Sequence, residues 1–129
     1  MAEPGEGFYP QQVQIDAYGN GGFRFAGMSH RGSLLCLPTG MQAWSVNAPG
    51  ELTLEALAPV FAVADQLDVL LVGLGADIVG FDSELRAALR ARGVIVEAIA
   101  TGGAVRTYNV LLAEDRAVGA ALIAVENAK

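Results

Sequence analysis

Residues Glu97 to Ile123, EAIATGGAVRTYNVLLAEDRAVGAALI, set polar and charged side chains between two segments apolar enough to be buried. The first segment, Val94 to Ile99, reads as a strand, and Thr101-Gly102-Gly103 as the turn that closes it. From about Gly103 to Leu112 the pattern is helical, with Ala104, Tyr108, Leu111 and Leu112 on one side. Glu114-Asp115-Arg116 forms the turn out, and Ala117 to Val125 is a strand. Its Val118, Leu122 and Ile123 stand among Ala117, Gly119, Ala120 and Ala121, so it is apolar on both faces and belongs mid-sheet, with room for a helix to approach.

Working outward, Asp68 to Val72 is a short apolar run without alternation, as expected of a strand covered on both sides. Ser83 is the expected N-cap of a helix from Glu84 to Arg92, with Leu85 and Leu89 one turn apart and Gly93 as the stop. Strand, helix and strand in this order make a βαβ unit with parallel strands. Further upstream a helix opens at Leu52-Thr53 with Thr53 as cap, and Pro59 either kinks it or begins a second short helix. Val13 to Tyr18 alternates with period two and runs into Gly19-Asn20-Gly21-Gly22, a hairpin signal. Phe23 to Phe25, Ser33 to Leu37 and Gly40 to Val46 supply further strands, with Ser29-His30-Arg31-Gly32 read as a turn. The fold class is α/β, with residues 1–12 as a flexible N-terminal segment and 13–129 as one domain.

The Glu97 to Ile123 stretch, together with Gly22-Phe23, Arg31-Gly32-Ser33-Leu34-Leu35, Trp44 and Gly73-Leu74-Gly75 in the same order upstream, resembles the family of mitochondrial respiratory complex I assembly factor 3 and its small bacterial and archaeal relatives. The resemblance runs from about residue 13 to 125. It implies a three-layer fold: a mixed central sheet holding the βαβ unit, and an additional antiparallel β layer from the N-terminal strands. It names no reaction.

Composition narrows the function classes. A chain of 129 residues fits one core. With 53% hydrophobic and 17% charged residues, it has apolar matter enough to stay compact. Fourteen acids oppose seven arginines and one lysine, a formal charge of -6, and no basic stripe is available to hold a phosphate backbone. Nucleic acid is not an expected partner. Cys36 and His30 are each the only residue of their type, which leaves no disulfide and no soft-ligand metal cluster. The N-terminus MAEPGEGFYPQQ has neither a basic n-region nor an apolar h-region, and the longest strongly apolar stretch, Val69 to Ala76, is far short of the roughly 20 residues that span a bilayer. A soluble bacterial cytoplasmic protein is expected, reaching the inner membrane, if at all, through partners.

No cofactor is expected. Gly73-Leu74-Gly75 needs a third glycine at 78 for a dinucleotide fingerprint and has Ile78. Gly75 to Gly80 has the outer spacing of a phosphate loop but is followed by Phe81-Asp82, where lysine and a hydroxyl are required. Gly73 and Gly75 are read as a structural turn. Cys36, inside Leu34-Leu35-Cys36-Leu37, is read as a small hydrophobe, and His30 as a solvated loop residue.

The polar residues that remain are Glu97, Thr101, Arg106, Thr107, Tyr108, Asn109, Glu114 and Arg116, none assigned a catalytic role. In the functional reading they line a pocket in which Arg106 holds a carboxylate or phosphate while Glu97 or Tyr108 moves a proton. In the structural reading Glu97 pairs with Arg106 across the turn and Asn109 ties backbone into it. Two functions follow. The first is a non-enzymatic accessory factor for a respiratory or other inner-membrane complex, acting through protein contacts, with any exposed member of Phe23, Met28, Met41 and Trp44 as anchor and Arg24 and Arg31 at the rim. The second is a small-molecule binder or enzyme using the pocket around Glu97, Arg106 and Tyr108.

Overall fold

In the computed structural model, residues 8–76 and 80–128 are described. Among these described residues nine strands form two sheets: β1 (Phe8–Tyr9), β2 (Ala17–Gly19), β3 (Gly22–Phe25), β4 (Met28–Arg31), β5 (Ser33–Leu37), β6 (Gly40–Trp44), β7 (Val69–Gly73), β8 (Ile95–Ile99) and β9 (Val118–Leu122). The helices are α1 (Ala58–Ala62), α2 (Ser83–Ala91) and α3 (Thr101–Ala113). The central sheet has the order β1-β6-β5-β9-β7-β8, and β2-β3-β4 make a separate antiparallel sheet.

β8, β7 and β9 run parallel, while β5 meets β9 antiparallel and carries β6 and β1 on its far side. β9 therefore lies mid-sheet, as its two-sided apolar pattern requires. Alternation along β7 divides the core. Leu70 and Val72 face α1 and α2 with Leu57, Val60, Leu85 and Leu89. Leu71 faces α3 and the small sheet with Ala104, Val105, Tyr108, Phe23 and Phe25. The result is the expected three-layer α/β arrangement with a mixed sheet and an added antiparallel layer.

The departures from the sequence reading have physical causes. Asp82, not Ser83, caps α2: its carboxylate oxygen accepts from the Glu84 N–H at 2.7 Å, and Ser83 becomes the first helical residue. Leu52 to Leu57 forms turns in which the Thr53 hydroxyl accepts from the Ala56 N–H, and α1 starts only at Ala58, with Pro59 in its first turn, where a missing N–H costs nothing. Residues 28–31 are strand rather than turn. The reversal lies earlier, at Ala26-Gly27, where both residues have positive φ (52° and 75°) as a two-residue hairpin turn demands. Of the segment 1–12, residues 1–7 lie outside the described residues; Phe8 and Tyr9 pair with β6, and the Gln12 amide donates to the Val118 carbonyl at 2.7 Å. Val13 to Ile15 is not strand, because its backbone partners are side chains of α3.

Candidate functional site

α3 begins where β8 ends and lies across β7 and β9, so its polar residues sit over the centre of the sheet. Thr101, fully buried, donates its hydroxyl hydrogen to the Ile123 carbonyl at 2.6 Å and accepts from the Gly75 N–H at 3.0 Å. One hydroxyl thus ties α3 to the ends of β7 and β9. This contact needs Gly73: a Cβ there would stand 2.9 Å from both the Cα and the hydroxyl oxygen of Thr101. Two residues on, Gly75 turns the chain with φ +99°.

Two turns into α3, Tyr108 and Asn109 reach the N-terminal segment. The Tyr108 hydroxyl donates to the Val13 carbonyl at 2.8 Å. The Asn109 amide accepts from the Ile15 N–H and donates to the Ile15 carbonyl, each at 2.8 Å. A planar carboxamide here does the work of a neighbouring strand. Burial, with Cys36 alongside, pushes the Tyr108 hydroxyl far above its ordinary pKa, and burial does the same to the Cys36 thiol, partly offset by Tyr108. Both stay protonated at physiological pH and are poor proton shuttles.

The remaining sequence candidates do not converge. Glu97 is exposed on β8, the edge strand, and Arg106 is exposed on α3; no ion pair joins them, which corrects the expectation that they neutralise each other. The reason is that neither is buried, so nothing compels pairing. Thr107 is half-buried, and Glu114 and Arg116 are exposed at the turn after α3. His30, expected in a solvated loop, lies in β4 opposite Phe23 and hydrogen-bonds the Ser33 carbonyl through Nε2 at 3.0 Å. Among the described residues, no three His, Cys, Asp or Glu side chains are grouped so as to hold a metal ion.

Two concave regions are the candidates for binding. The first lies beyond the carboxyl ends of β7 and β9. From β7 the chain leaves for α2 on one face, while after β9 Val125 and Glu126 accept from Gly21 and Asn20 at the small sheet on the other. Adjacent parallel strands whose continuations part in this way open a crevice. It holds a cavity of about 560 Å³ against Pro49, Leu74 and Val125, and a smaller one of about 210 Å³ reached by Arg106, Gly102, Gly103 and Asn127. Arg106 is thus brought to a cavity without Glu97 or Tyr108. The Gly102-Gly103 backbone escaped notice because glycines there read simply as a turn. The second region, about 430 Å³, is lined by Arg24, Ser29, Arg31 and the Gly19-Asn20 turn on the small sheet. Of the proposed anchors, Phe23, Met41 and Trp44 are buried, the Trp44 indole donating to the Ala56 carbonyl, and only Met28 is exposed, at 42%.

The chain is 42% identical over 126 residues to an uncharacterised protein of Rhodobacter capsulatus, covering 98% of this chain and 94% of that one. It is 33% identical over 115 residues to NADH dehydrogenase (ubiquinone) 1 alpha subcomplex assembly factor 3 of Rattus norvegicus, covering 89% of this chain but 62% of that protein. Among solved structures, a crystal structure described as an outer membrane protein from Bartonella henselae superposes with a TM-score of 0.87 at 49% identity, covering 92% of this chain and 99% of that one. Residues 15–123, which run from the Asn109-clamped segment to the end of the central sheet, match one family model, and the chain belongs to that family, Protein of unknown function (DUF498/DUF598).

Proposed function

We propose that this protein is a non-enzymatic accessory factor that supports assembly of a respiratory or other inner-membrane complex by binding its protein components. The observation that carries this reading is the 33% identity with the rat assembly factor across 89% of the chain. The polar residues that most define the sequence support it too: Thr101, Tyr108 and Asn109 spend their hydrogen bonds on the fold. No helix among the described residues is long and apolar enough to cross a membrane. In this reading the protein docks on subunits of the membrane complex from the cytoplasmic side. The test is deletion of the gene followed by native gels of the membrane complexes. A stalled subassembly that matures on re-expression is the expected result, and normal assembly in the deletion strain overturns the proposal.

A second reading is favoured by one observation, the position of Arg106 at the crevice beyond β7 and β9. A carboxylate- or phosphate-bearing small molecule seated there would meet a guanidinium fork. A metabolite screen by thermal shift, with Arg106→Gln as control, tests it: an Arg106-dependent ligand supports this reading, and none across the screen removes it.

A further inference from the structure

We infer that the outer side of the small sheet, between Arg24 and Arg31, is the docking surface for a short acidic segment of a protein partner. The inference deepens the accessory-factor reading and rests on it for the partner's role, though not for the binding chemistry. In β3, Phe23 and Phe25 point into the core, so Arg24 between them points out. The β3–β4 register sets Arg24 opposite Ser29 and Gly22 opposite Arg31. Each arginine therefore faces a small residue rather than another long side chain, and the two stand diagonally over a concavity of about 430 Å³. Gly22 is required at its floor, because a Cβ there would run into the His30 carbonyl oxygen.

The charge pattern identifies the occupant. Arg86 donates to the Val96 carbonyl and stacks on Phe81, and Arg92 donates to the Phe61 carbonyl. The guanidinium groups of Arg24 and Arg31 have no hydrogen-bond or ion-pair partner among the described residues. Two acids lie at this end, Asp16, whose N–H donates to the Arg24 carbonyl, and Glu126, whose carboxylate lies near Gly21; neither is part of the lining. Two unneutralised guanidinium groups within one concavity, on a chain of net charge -6, suit a few carboxylates and disfavour a polyanion such as nucleic acid. Met28, exposed at the tip of the same hairpin, pairs with Phe25 and so belongs to the other side of the sheet, outside the concavity.

The test uses the full chain, 15N-labelled, with a ten-residue peptide of alternating Asp and Leu as probe, its Asn/Leu counterpart, and sodium phosphate. The Asp/Leu peptide should shift the amides of Arg24, Ser29 and Arg31. Binding should weaken at least about tenfold in R24Q/R31Q, whose outward side chains leave the melting temperature unchanged, and stay unaltered in R90Q. Equal binding of the Asn/Leu peptide, equal response to phosphate, or shifts confined to the crevice near Arg106 would overturn the inference. In a deletion strain R24Q/R31Q should restore complex assembly poorly. Full restoration by R24Q/R31Q discards the docking surface while the accessory role stands; if deletion itself has no effect, the role fails and the peptide titration alone decides the surface.

Discussion

Asn109 on α3 and the backbone of Ile15 are joined by a reciprocal pair of hydrogen bonds, 2.8 Å in each direction, across 94 residues of chain. With the Tyr108 hydroxyl on the Val13 carbonyl, they fasten the segment entering the small sheet to the helix over the central sheet. That makes α3 one joint between the two sheets, beside the bonds from Asn20 and Gly21 to Glu126 and Val125. Asn109→Ala should cost about 2 to 3 kcal/mol, because two bonds are lost and two backbone groups are left without partners in a half-buried place. Urea denaturation measures the loss, and hydrogen exchange at the Ile15 amide should accelerate more than at amides of β7. An unchanged midpoint would show that water replaces the clamp.

Arg106 and Glu97 are expected to be energetically independent. Both are exposed and unpaired, and exposed pairs contribute about 0 to 1 kcal/mol even when formed. Arg106→Ala should therefore change stability by less than about 0.5 kcal/mol, and a double-mutant cycle with Glu97→Ala should show no coupling beyond its error. A coupling above about 1 kcal/mol would mean that the two side chains meet in solution.

Much of this fold was legible from local pattern. The unalternating runs at Asp68 to Val72 and Ala117 to Val125 located two inner strands, and the Leu85/Leu89 spacing located α2, because burial on one or both faces leaves a period in the sequence. Residues 13–15 misled for the opposite reason: their alternation is real, but their hydrogen-bond partners come from side chains distant in sequence. β4 was hidden by its composition, Met-Ser-His-Arg, which carries no buried alternation because neither side of that strand is buried, His30 alone being half-covered. The candidate site was half legible. A polar residue in an apolar setting signals a task, and for Thr101, Tyr108 and Asn109 the structure shows backbone bonding. Which polar residues share a cavity depends on three-dimensional neighbours that no spacing encodes, and so Arg106 was grouped with Glu97 and Tyr108 rather than with Gly102, Gly103 and Asn127.

Gly73 should not tolerate even alanine. The new methyl would stand 2.9 Å from the Thr101 Cα, a backbone atom that cannot swing aside, and would press on the hydroxyl that bridges Gly75 and Ile123. Overpacking of this kind costs about 1 to 3 kcal/mol. Gly73→Ala should lower the melting temperature well beyond Gly50→Ala, where a Cβ meets nothing within 4 Å. Similar melting of the two variants would mean that α3 shifts freely over the sheet.

Alkaline pH should destabilise the protein through Cys36 and Tyr108. Both native pKa values are raised, chiefly by burial, so the native state keeps protons that the unfolded state gives up. Their contribution is complete below the unfolded values, about 8.5 for the thiol and 10 for the phenol, and is lost as pH rises from there towards the native values. Above each unfolded value the loss approaches about 1.4 kcal/mol per pH unit for each group. Urea midpoints from pH 8 to 10.5 should fall more steeply in the wild type than in Cys36→Ala. Parallel slopes would place the thiol in contact with solvent.

Ala26 offers a stabilising substitution. It holds φ 52° in the first position of the two-residue turn joining β3 to β4, a left-handed conformation that costs an L-residue with a Cβ roughly 1 to 2 kcal/mol, and it is exposed, so no packing depends on its methyl. The neighbouring β2–β3 turn solves the same problem with Asn20-Gly21, φ 53° and 76°. Ala26→Asn would convert the second turn to the chemistry of the first and should raise stability by about 0.5 to 1 kcal/mol. Ala26→Gly should gain less, since the added freedom of the unfolded chain offsets part of the relieved strain. Thermal denaturation ranks the three proteins, and an Asn variant no more stable than the wild type would show that the hairpin tip relaxes out of the left-handed region in solution.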